Sequence, residues 1–269
     1  MAFDSHAHLD LEQFDVDREA VIERARAAGV LGINTVGIDL EGSRRAVALA
    51  GRHSGLVASV GIHPQEAHRA QTADFVALED LGRHPSVVAI GETGLDFHHG
   101  DAPREAQVEG FRRQLEIGSR LDLPVIIHSR QAAEETRQIL FEWSARRAMP
   151  AGKPRGVIHC YSGDLETANS YISLGFFISV GAYIGYPSSS QFRAVLKSLP
   201  LENLLVETDC PFLPPQKMRG KRNEPAFIPL TLAVLAEVKS MSLEKVAEAT
   251  TANAEHLFRL EEPSWKRAN

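Results

Sequence analysis

Residues 124–130 of this chain, PVIIHSR, form a short apolar run that ends in a histidine. Residues 156–159, GVIH, repeat this pattern, and VVAIG at 87–91 is followed by Glu92. Brief runs rich in valine and isoleucine are typical of parallel β-strands that are covered on both faces. A polar residue at the end of each run indicates a functional site at one edge of the resulting sheet.

Eight runs of this kind alternate with amphipathic segments almost to the end of the chain. The predicted strands cover residues 2–4, 32–36, 57–60, 87–90, 125–127, 156–158, 176–179 and 204–206. The predicted helices include residues 17–28, 104–121, 132–147, 165–174, 191–199, 228–239 and 243–257. Eight strand–helix units predict an α/β fold, a (β/α)8 barrel of the TIM type, with the third unit the weakest. The chain has no linker, repeat or low-complexity tract, so residues 1–269 are expected to form a single domain.

Composition and charge narrow the class of protein. The 269 residues carry a net charge of −6, so binding of nucleic acid would depend on local cations and bound metal. Two cysteines without CxxC spacing, Cys160 and Cys210, argue against a disulfide framework and fit a reducing compartment. No apolar run reaches the roughly 20 residues of a membrane helix, and no signal-peptide pattern opens the chain. We therefore expect a cytoplasmic protein without a membrane partner.

Six histidines and carboxylates fall where a TIM barrel carries its active site, at the carboxyl ends of the strands. They are His6, His8, Glu92, His128, His159 and Asp209. His6 and His8 are two positions apart, which on an extended strand places both imidazoles on one face. Because imidazole nitrogen and carboxylate oxygen bind ions such as Zn²⁺ and Mn²⁺, the set predicts a divalent-metal site.

Two of these carboxylates are candidates for catalysis as well as for metal binding. Glu92 can offer one oxygen to each of two ions, which suits it to bridge a pair about 3.5–4 Å apart. Asp209 is placed to bind one ion and to accept a proton from water whose pKa the metal lowers. Taken alone, each has a simpler interpretation: Glu92 as a loop carboxylate near glycines, and Asp209 as part of an Asx turn before Pro211. Their combination with four histidines favours the metal site.

Four further residues are expected around the ligands. His63, in GIHP, can bind a substrate phosphate or hydrogen-bond to the site, and Glu207 can orient a ligand or pair with a buried cation. Arg130 and Arg222 lie on predicted loops near the site, where guanidinium groups can bind phosphate oxygens bidentately. A solvated, mobile loop is the simpler interpretation of the basic stretch that contains Arg222.

Aromatic residues also lie on the predicted loops at this end of the barrel. Phe97, Tyr161 and Phe212 are placed where their rings can stack on unpaired bases. Packing within a lid is the alternative for all three rings.

Seven motifs resemble those of the TatD family of metal-dependent deoxyribonucleases, within the amidohydrolase-like barrel superfamily. They are DSHAHLD, GIHP, GETGLD, PVIIHSR, IHCYSG, VETDCPFLPP and RGKRNEP, in the order of the family. The chain departs from the family pattern at His98 and His99, where many members carry tyrosines, and at Cys210, where serine is common. The resemblance runs from the N-terminus nearly to the end of the chain.

The resemblance implies a TIM-type barrel with two divalent ions, Mg²⁺, Mn²⁺ or Zn²⁺. It implies that the HAH pair holds one ion, that His128 and His159 hold the other, and that Glu92 bridges them. It also implies that Asp209 binds the first ion and acts as the base.

Motifs and site chemistry together predict a metal-dependent hydrolase. They favour a monomeric deoxyribonuclease that cleaves phosphodiester bonds in DNA, as a 3′→5′ exonuclease on single-stranded ends, by a two-metal mechanism. The main rival is a metallohydrolase of another ester or amide bond, such as an aminoacyl-tRNA ester or a small amide, since one barrel hosts many chemistries. Glu92 stands where amidohydrolases often carry a bridging lysine, which favours the nuclease. A structural zinc site is disfavoured because such sites are closed, usually with cysteine among four ligands.

Overall fold

Eight parallel strands follow one another in chain order around one sheet. The computed structural model describes residues 1–100, 102–146 and 153–260. The strands are β1 (Ala2–Ala7), β2 (Val30–Val36), β3 (Leu56–Val60), β4 (Val87–Asp96), β5 (Val125–Arg130), β6 (Gly156–Ile158), β7 (Phe176–Val180) and β8 (Leu204–Val206). Each strand pairs in parallel with the next, and a bridge between Ala7 and Cys210 joins the segment after β8 to β1. The predicted TIM-type barrel is confirmed.

Nine α-helices lie within the described ranges, and seven of them connect successive strands. They are α1 (Arg18–Ala27), α2 (Leu40–Ala50), α3 (Thr72–Leu81), α4 (Arg104–Leu121), α5 (Ala133–Arg146), α6 (Leu165–Ser173), α7 (Ser190–Ser198), α8 (Ile228–Lys239) and α9 (Leu243–Phe258). The last residue of the predicted helix 132–147 falls outside the described residues. In the weakly predicted third unit, α3 buries only Phe75 and Leu78, which leaves little periodic signal in its sequence.

Among the described helices, none is by itself long and apolar enough to cross a membrane. The segments Pro225–Lys239 and Leu243–Phe258 are bent at 109° to each other. Taken together, they have the length and apolar composition of a membrane span.

The amino-terminal end of the barrel is closed by apolar packing. One cluster of buried residues joins side chains from most of the strands to the end of α9. Within it, the Phe3 and Phe258 rings lie 5.9 Å apart between centroids. Burying a large apolar side chain contributes about 1.5–3 kcal/mol, so this cluster anchors α9 across the barrel. The carboxyl ends of the strands, at the opposite end, are left for the polar site.

A hydrogen-bonded layer of small polar side chains lines the barrel among β1, β2, β3 and β7. The Ser5 hydroxyl lies 3.0 Å from that of Ser179 and donates to the Val206 carbonyl at 2.9 Å. The Asn34 amide donates to the Ser5 carbonyl and accepts from the Ser59 hydroxyl. A buried polar network with its bonds satisfied rigidifies its surroundings. The strands that carry the site are therefore held by directional bonds as well as by apolar contacts.

Candidate metal centre

The six predicted ligands converge at the carboxyl end of the barrel. They come from β1 and its end, from β4 and β5, and from the segments after β6 and β8. Three groups place their ligand atoms within 4.8 Å of one another: His6, His8 and Asp209; His6, His159 and Glu207; and His63, Glu92 and His128. Two residues predicted to surround the ligands, His63 and Glu207, thus join the same cluster.

The Glu92 carboxylate lies between two pairs of imidazoles. Its Oε2 atom faces Nε2 of His6 at 3.3 Å and Nε2 of His8 at 3.6 Å. Its Oε1 atom faces Nδ1 of His128 at 2.7 Å and Nε2 of His159 at 2.8 Å. Burial by itself would raise the pKa of Glu92, but the positive charge of His159 and the hydrogen bonds from His128 and His159 lower this pKa well below its usual range. The side chain is therefore a buried anion with one oxygen toward each pair.

Gly91 and Gly94, which lie on either side of Glu92, help to bring it into this position. The sequence predicts that Glu92 follows its strand, but β4 continues to Asp96, so Glu92 lies inside it. The pairing of β4 with β5 shifts register between Ile90 and Thr93 and then resumes, with Gly94 opposite His128. Gly94 has a φ of +140°, and a Cβ there would lie 2.0 Å from the His128 carbonyl oxygen. Only glycine permits this approach, which explains the GETG pattern around the carboxylate.

The Nε2 atom of the His8 imidazole faces the centre. Its Nδ1 lies 2.7 Å from the Val36 carbonyl oxygen, which can only accept a hydrogen bond, so Nδ1 carries the proton. Nε2 then faces Nε2 of His6 at 3.2 Å and Oδ1 of Asp209 at 3.4 Å. Burial lowers the pKa of His8, but Asp209 and Glu92 outweigh it and raise the pKa to about 9. This part of the centre therefore favours a positive charge at Nε2.

A carboxylate orients one imidazole of the other pair. Nε2 of His128 lies 3.3 Å from Oδ2 of Asp96, whereas Nδ1 of His159 is 3.7 Å from Oε1 of Glu207, beyond hydrogen-bond distance. Their remaining nitrogens, Nδ1 of His128 and Nε2 of His159, are 3.2 Å apart and both face Glu92. An acceptor on the outer nitrogen of a histidine fixes the tautomer that binds metal. The donor set of lone pairs and carboxylate oxygens thus fits divalent cations.

Asp96 is held by a glutamine that the sequence analysis did not single out. Gln107 of α4 accepts a hydrogen bond from the Asp96 amide at 2.8 Å and donates to its carbonyl at 3.0 Å. On the same buried face of α4, Gln114 accepts a hydrogen bond from the amide of Ile62, next to His63, at 2.8 Å and donates one to the Ile62 carbonyl at 2.9 Å. In the sequence, the signal that could have identified these two glutamines is their spacing of seven positions on a helix face that is otherwise apolar.

Of the four residues predicted to surround the ligands, two lie at the centre and two are arginines with other surroundings. Nε2 of His63 lies 3.6 Å from Oε1 of Glu92, and Glu207 accepts a hydrogen bond from the Cys160 amide at 2.6 Å. Arg130 is exposed at the end of β5. Arg222 instead binds both carboxylate oxygens of Asp17, at 2.8 and 2.7 Å, and its guanidinium stacks on a phenylalanine ring. This placement argues against the predicted role of Arg222 as a free phosphate-binding cation.

The loop after β8 is held by Asn223, which the sequence analysis included only within a motif. Asn223 is fully buried, and its amide donates to the carbonyls of Thr208 at 2.8 Å and Phe212 at 2.7 Å. These two carbonyls flank Asp209, whose φ of +56° is in the left-handed region. Asn223 therefore fixes the backbone on both sides of Asp209.

We expect Asn223→Ala to lower the free energy of unfolding of the metal-free protein by about 1–3 kcal/mol, because buried carbonyls lose their donor. Urea unfolding followed by circular dichroism measures the effect. Gln216→Ala, a substitution at an exposed position in the same loop, should change the free energy of unfolding by no more than about 0.5 kcal/mol. Equal stability of the two variants would show that Asn223 does not hold the loop.

Comparison with known proteins reveals similarity over nearly the whole chain. The sequence pattern of one family, described as TatD related DNase, matches residues 3–259. The uncharacterized metal-dependent hydrolase YabD of Bacillus subtilis (strain 168) is 40% identical over 260 residues, 97% of this chain and 100% of that protein. The 3′-5′ ssDNA/RNA exonuclease TatD of Klebsiella pneumoniae (strain 342) is 33% identical over 261 residues, 95% of this chain and 97% of that protein.

A solved structure shows similarity at the level of the fold as well. The crystal structure of YjjV, a TatD homologue from Escherichia coli K12, superposes with a TM-score of 0.89 at 34% identity. The match covers 97% of this chain and 98% of that one. Coverage this complete takes in the barrel as a whole.

Proposed function

From the premise that this chain belongs to the family of TatD-related DNases and is a metal-dependent hydrolase, we propose that it degrades single-stranded DNA from the 3′ end. The similarity to a protein named 3′-5′ ssDNA/RNA exonuclease supports this choice of substrate. The position of Glu92 carries the proposal, because its two oxygens face two separate pairs of imidazoles. A carboxylate in that position suits a centre of two ions.

The proposed centre divides its ligands between two divalent ions. One ion would be held by His6, His8 and Asp209 and the other by His128 and His159, with Glu92 between the two groups. Mg²⁺, Mn²⁺ and Zn²⁺ all accept histidine and carboxylate ligands, so their availability decides which is bound. When bound, such ions polarise phosphoryl oxygens and lower the pKa of water.

Asp209 accepts the proton in the proposed reaction. Its side chain is 13% exposed and that of Glu92 is 4% exposed, so Asp209 is the carboxylate that entering water can reach more readily. The water oxygen forms a bond to phosphorus, and the bond from phosphorus to the 3′ oxygen of the preceding nucleotide breaks. The water proton passes to the Asp209 carboxylate, and the leaving 3′ oxygen takes up a proton from solvent water. The products are a 5′-mononucleotide and a strand with a free 3′ hydroxyl.

Two residues bind the substrate phosphates in this scheme. Burial lowers the pKa of His63 to about 3, so its imidazole is neutral and acts through a hydrogen bond. Arg130 supplies the positive charge. In the described part of the chain, its guanidinium makes no hydrogen bond or ion pair. Arg222 contributes indirectly, by holding the β8 loop against Asp17.

Burial of the ligands favours a flexible end as substrate. His6, His8 and Glu92 are each 3% exposed or less. A scissile phosphate must therefore enter the mouth of the barrel, which a single-stranded end does more readily than the interior of a duplex.

The test compares linear and circular single-stranded DNA with purified protein and Mg²⁺, Mn²⁺ or Zn²⁺. We expect the linear strand to shorten from its 3′ end and the circle to stay intact. EDTA should stop the reaction, and added metal should restore it, because the ions supply several kcal/mol of transition-state stabilisation. Gel analysis of 5′-labelled strands measures the polarity.

A matched pair of variants controls this test. His128→Ala should abolish cleavage, whereas His68→Ala, an exposed histidine on the loop before α3, should leave it intact. Cleavage that survives both EDTA and His128→Ala would overturn the mechanism. Metal-dependent hydrolysis of carboxylic esters or N-acyl compounds without action on DNA would select the rival hydrolase instead.

A further inference from the structure

We propose that Phe212 is a stacking platform for a nucleobase beside the scissile phosphate, a subsite that rests on the proposed nuclease function. Phe212 follows Asp209 by three residues and is 50% exposed. The ring centroid lies 6.1 Å from that of His8, at 69° between the planes. A large apolar ring is thus exposed at the rim of the metal centre, where a bound strand must pass.

The backbone of Phe212 is fixed before any substrate binds. Its amide donates to the Asp209 carbonyl at 3.0 Å, and its carbonyl accepts from the buried Asn223 amide at 2.7 Å. A preorganised contact costs less conformational entropy on binding than one that must be ordered. The ring therefore stands at a defined place relative to Asp209 and His8.

The other two aromatic residues predicted to lie near the site have different roles. Tyr161 is buried, and its hydroxyl donates to the Asp164 carbonyl at 2.6 Å. Phe97 is partly buried, and the Arg104 guanidinium lies over its ring at 4.8 Å. Both belong to the packing of the loops, as the alternative interpretation of the sequence held. Of the three rings, Phe212 alone leaves half of its surface to solvent.

Two arginines of the described ranges that lack a hydrogen bond or an ion pair lie on the segments that carry His128 and Phe212. Among the arginines of the described ranges, only Arg52, Arg130 and Arg219 have side chains without a hydrogen bond or an ion pair. Arg130 is two residues from His128, and Arg219 lies in the same loop as Phe212. In a chain of net charge −6, one such arginine close in sequence to His128 and another in the Phe212 loop match a ligand that carries phosphates. The loop of Phe212 also exposes Lys217 and Lys221.

An exposed aromatic ring in a loop that also carries free cations fits single-stranded nucleic acid better than other ligands. Its bases present flat π faces at the spacing of its phosphates, and stacking on a ring tolerates any base. A duplex keeps its bases stacked on one another and cannot offer one to Phe212. The subsite therefore selects for unpaired bases without selecting for sequence.

The experiment compares two oligonucleotides on the metal-loaded enzyme. One is a 3′-ended single strand, and the other has a tetrahydrofuran abasic analogue at the nucleotides flanking the scissile phosphate. Removal of the bases should lower kcat/KM by about 5- to 150-fold, the range that stacking on an aromatic side chain supplies. In Phe212→Ala, kcat/KM for the normal strand divided by kcat/KM for the abasic strand should fall toward one. Phe212→Trp should restore this ratio to the value of the enzyme without a substitution.

Two controls separate the subsite from a general effect of the loop. Leu213→Ala changes the neighbouring exposed residue. The ratio of kcat/KM between the normal and the abasic strand should be the same in this variant as in the enzyme without a substitution. Phe141→Ala removes a phenylalanine that is 60% exposed on α5 and should also keep it. An abasic effect of the same size in Phe212→Ala and in the unchanged enzyme would overturn the proposal, while the nuclease activity would stand.

Binding provides a readout that does not need cleavage. A strand with 2-aminopurine at its 3′ end should lose fluorescence on binding to the metal-loaded protein, because the base stacks on the ring. Phe212→Ala should remove this quenching. If no strand is cleaved, the proposed function fails, and quenching that depends on Phe212 would still support the subsite. Equal quenching with and without the ring would refute the subsite.

Discussion

Glu92→Gln is expected to leave a protein that holds at most one divalent ion and has lost at least about three orders of magnitude in kcat. Glutamine keeps the shape of the side chain but replaces one oxygen by an NH₂ donor and removes the charge. Neither change suits an atom that faces Nδ1 of His128 at 2.7 Å and Nε2 of His159 at 2.8 Å. An ion supplies several kcal/mol to the transition state, and each 1.4 kcal/mol is about tenfold in rate.

Metal content and turnover are measured together on the same preparations. Elemental analysis after dialysis gives ions per chain, and initial rates on single-stranded DNA at saturating Mn²⁺ give kcat. Glu105→Gln, in the exposed first turn of α4, makes the same chemical change away from the centre and should alter neither. Glu92→Asp tests whether the length of the side chain matters, because a carboxylate one methylene closer to the backbone should not contact both pairs of imidazoles. Two retained ions and a kcat within tenfold in Glu92→Gln would refute the bridging role.

The strands could be predicted from the sequence because each is a local apolar run. β6 and β8 have the predicted bounds, since valine, leucine and isoleucine give way abruptly to polar residues at 159 and 207. β4 could not be bounded in the same way. Its second half has little apolar character, and it continues because Gly94 allows a close approach to His128. That contact belongs to the neighbouring strand and is not visible in the local sequence.

The convergence of the candidate ligands followed from topology, because the carboxyl ends of parallel strands meet at one face of a barrel. The supporting contacts did not follow. Gln107 hydrogen-bonds Asp96 only because α4 packs against β4, and Asn223 reaches Thr208 across fifteen positions of an irregular loop. The partner of Arg222 could not be predicted for a related reason. Its charge suggested a ligand for phosphate, but the fold provides Asp17 as a nearer anion.

Asp209→Asn is expected to lower kcat by about 10²- to 10⁴-fold, the usual contribution of a general base, while binding of single-stranded DNA persists. The amide is nearly isosteric and cannot take the proton at neutral pH. Asparagine also suits the backbone, because Asp209 has a φ of +56°, and asparagine tolerates the left-handed region better than most residues do. The loss can therefore be assigned to the two proposed roles of the carboxylate, as base and as metal ligand, rather than to strain.

Three variants separate the charge of Asp209 from its backbone conformation. Asp209→Ala removes the carboxylate and adds a strain of about 1–2 kcal/mol, so it should lower both kcat and the free energy of unfolding of the metal-free protein. Asp209→Asn should lower kcat alone, and Asp80→Asn, at an exposed site on α3, should lower neither. Single-turnover rates, urea unfolding and fluorescence anisotropy of a labelled strand measure the three properties. A single-turnover rate for Asp209→Asn within threefold of the unchanged enzyme would assign the proton to another group, and Glu92 would be the next carboxylate to test.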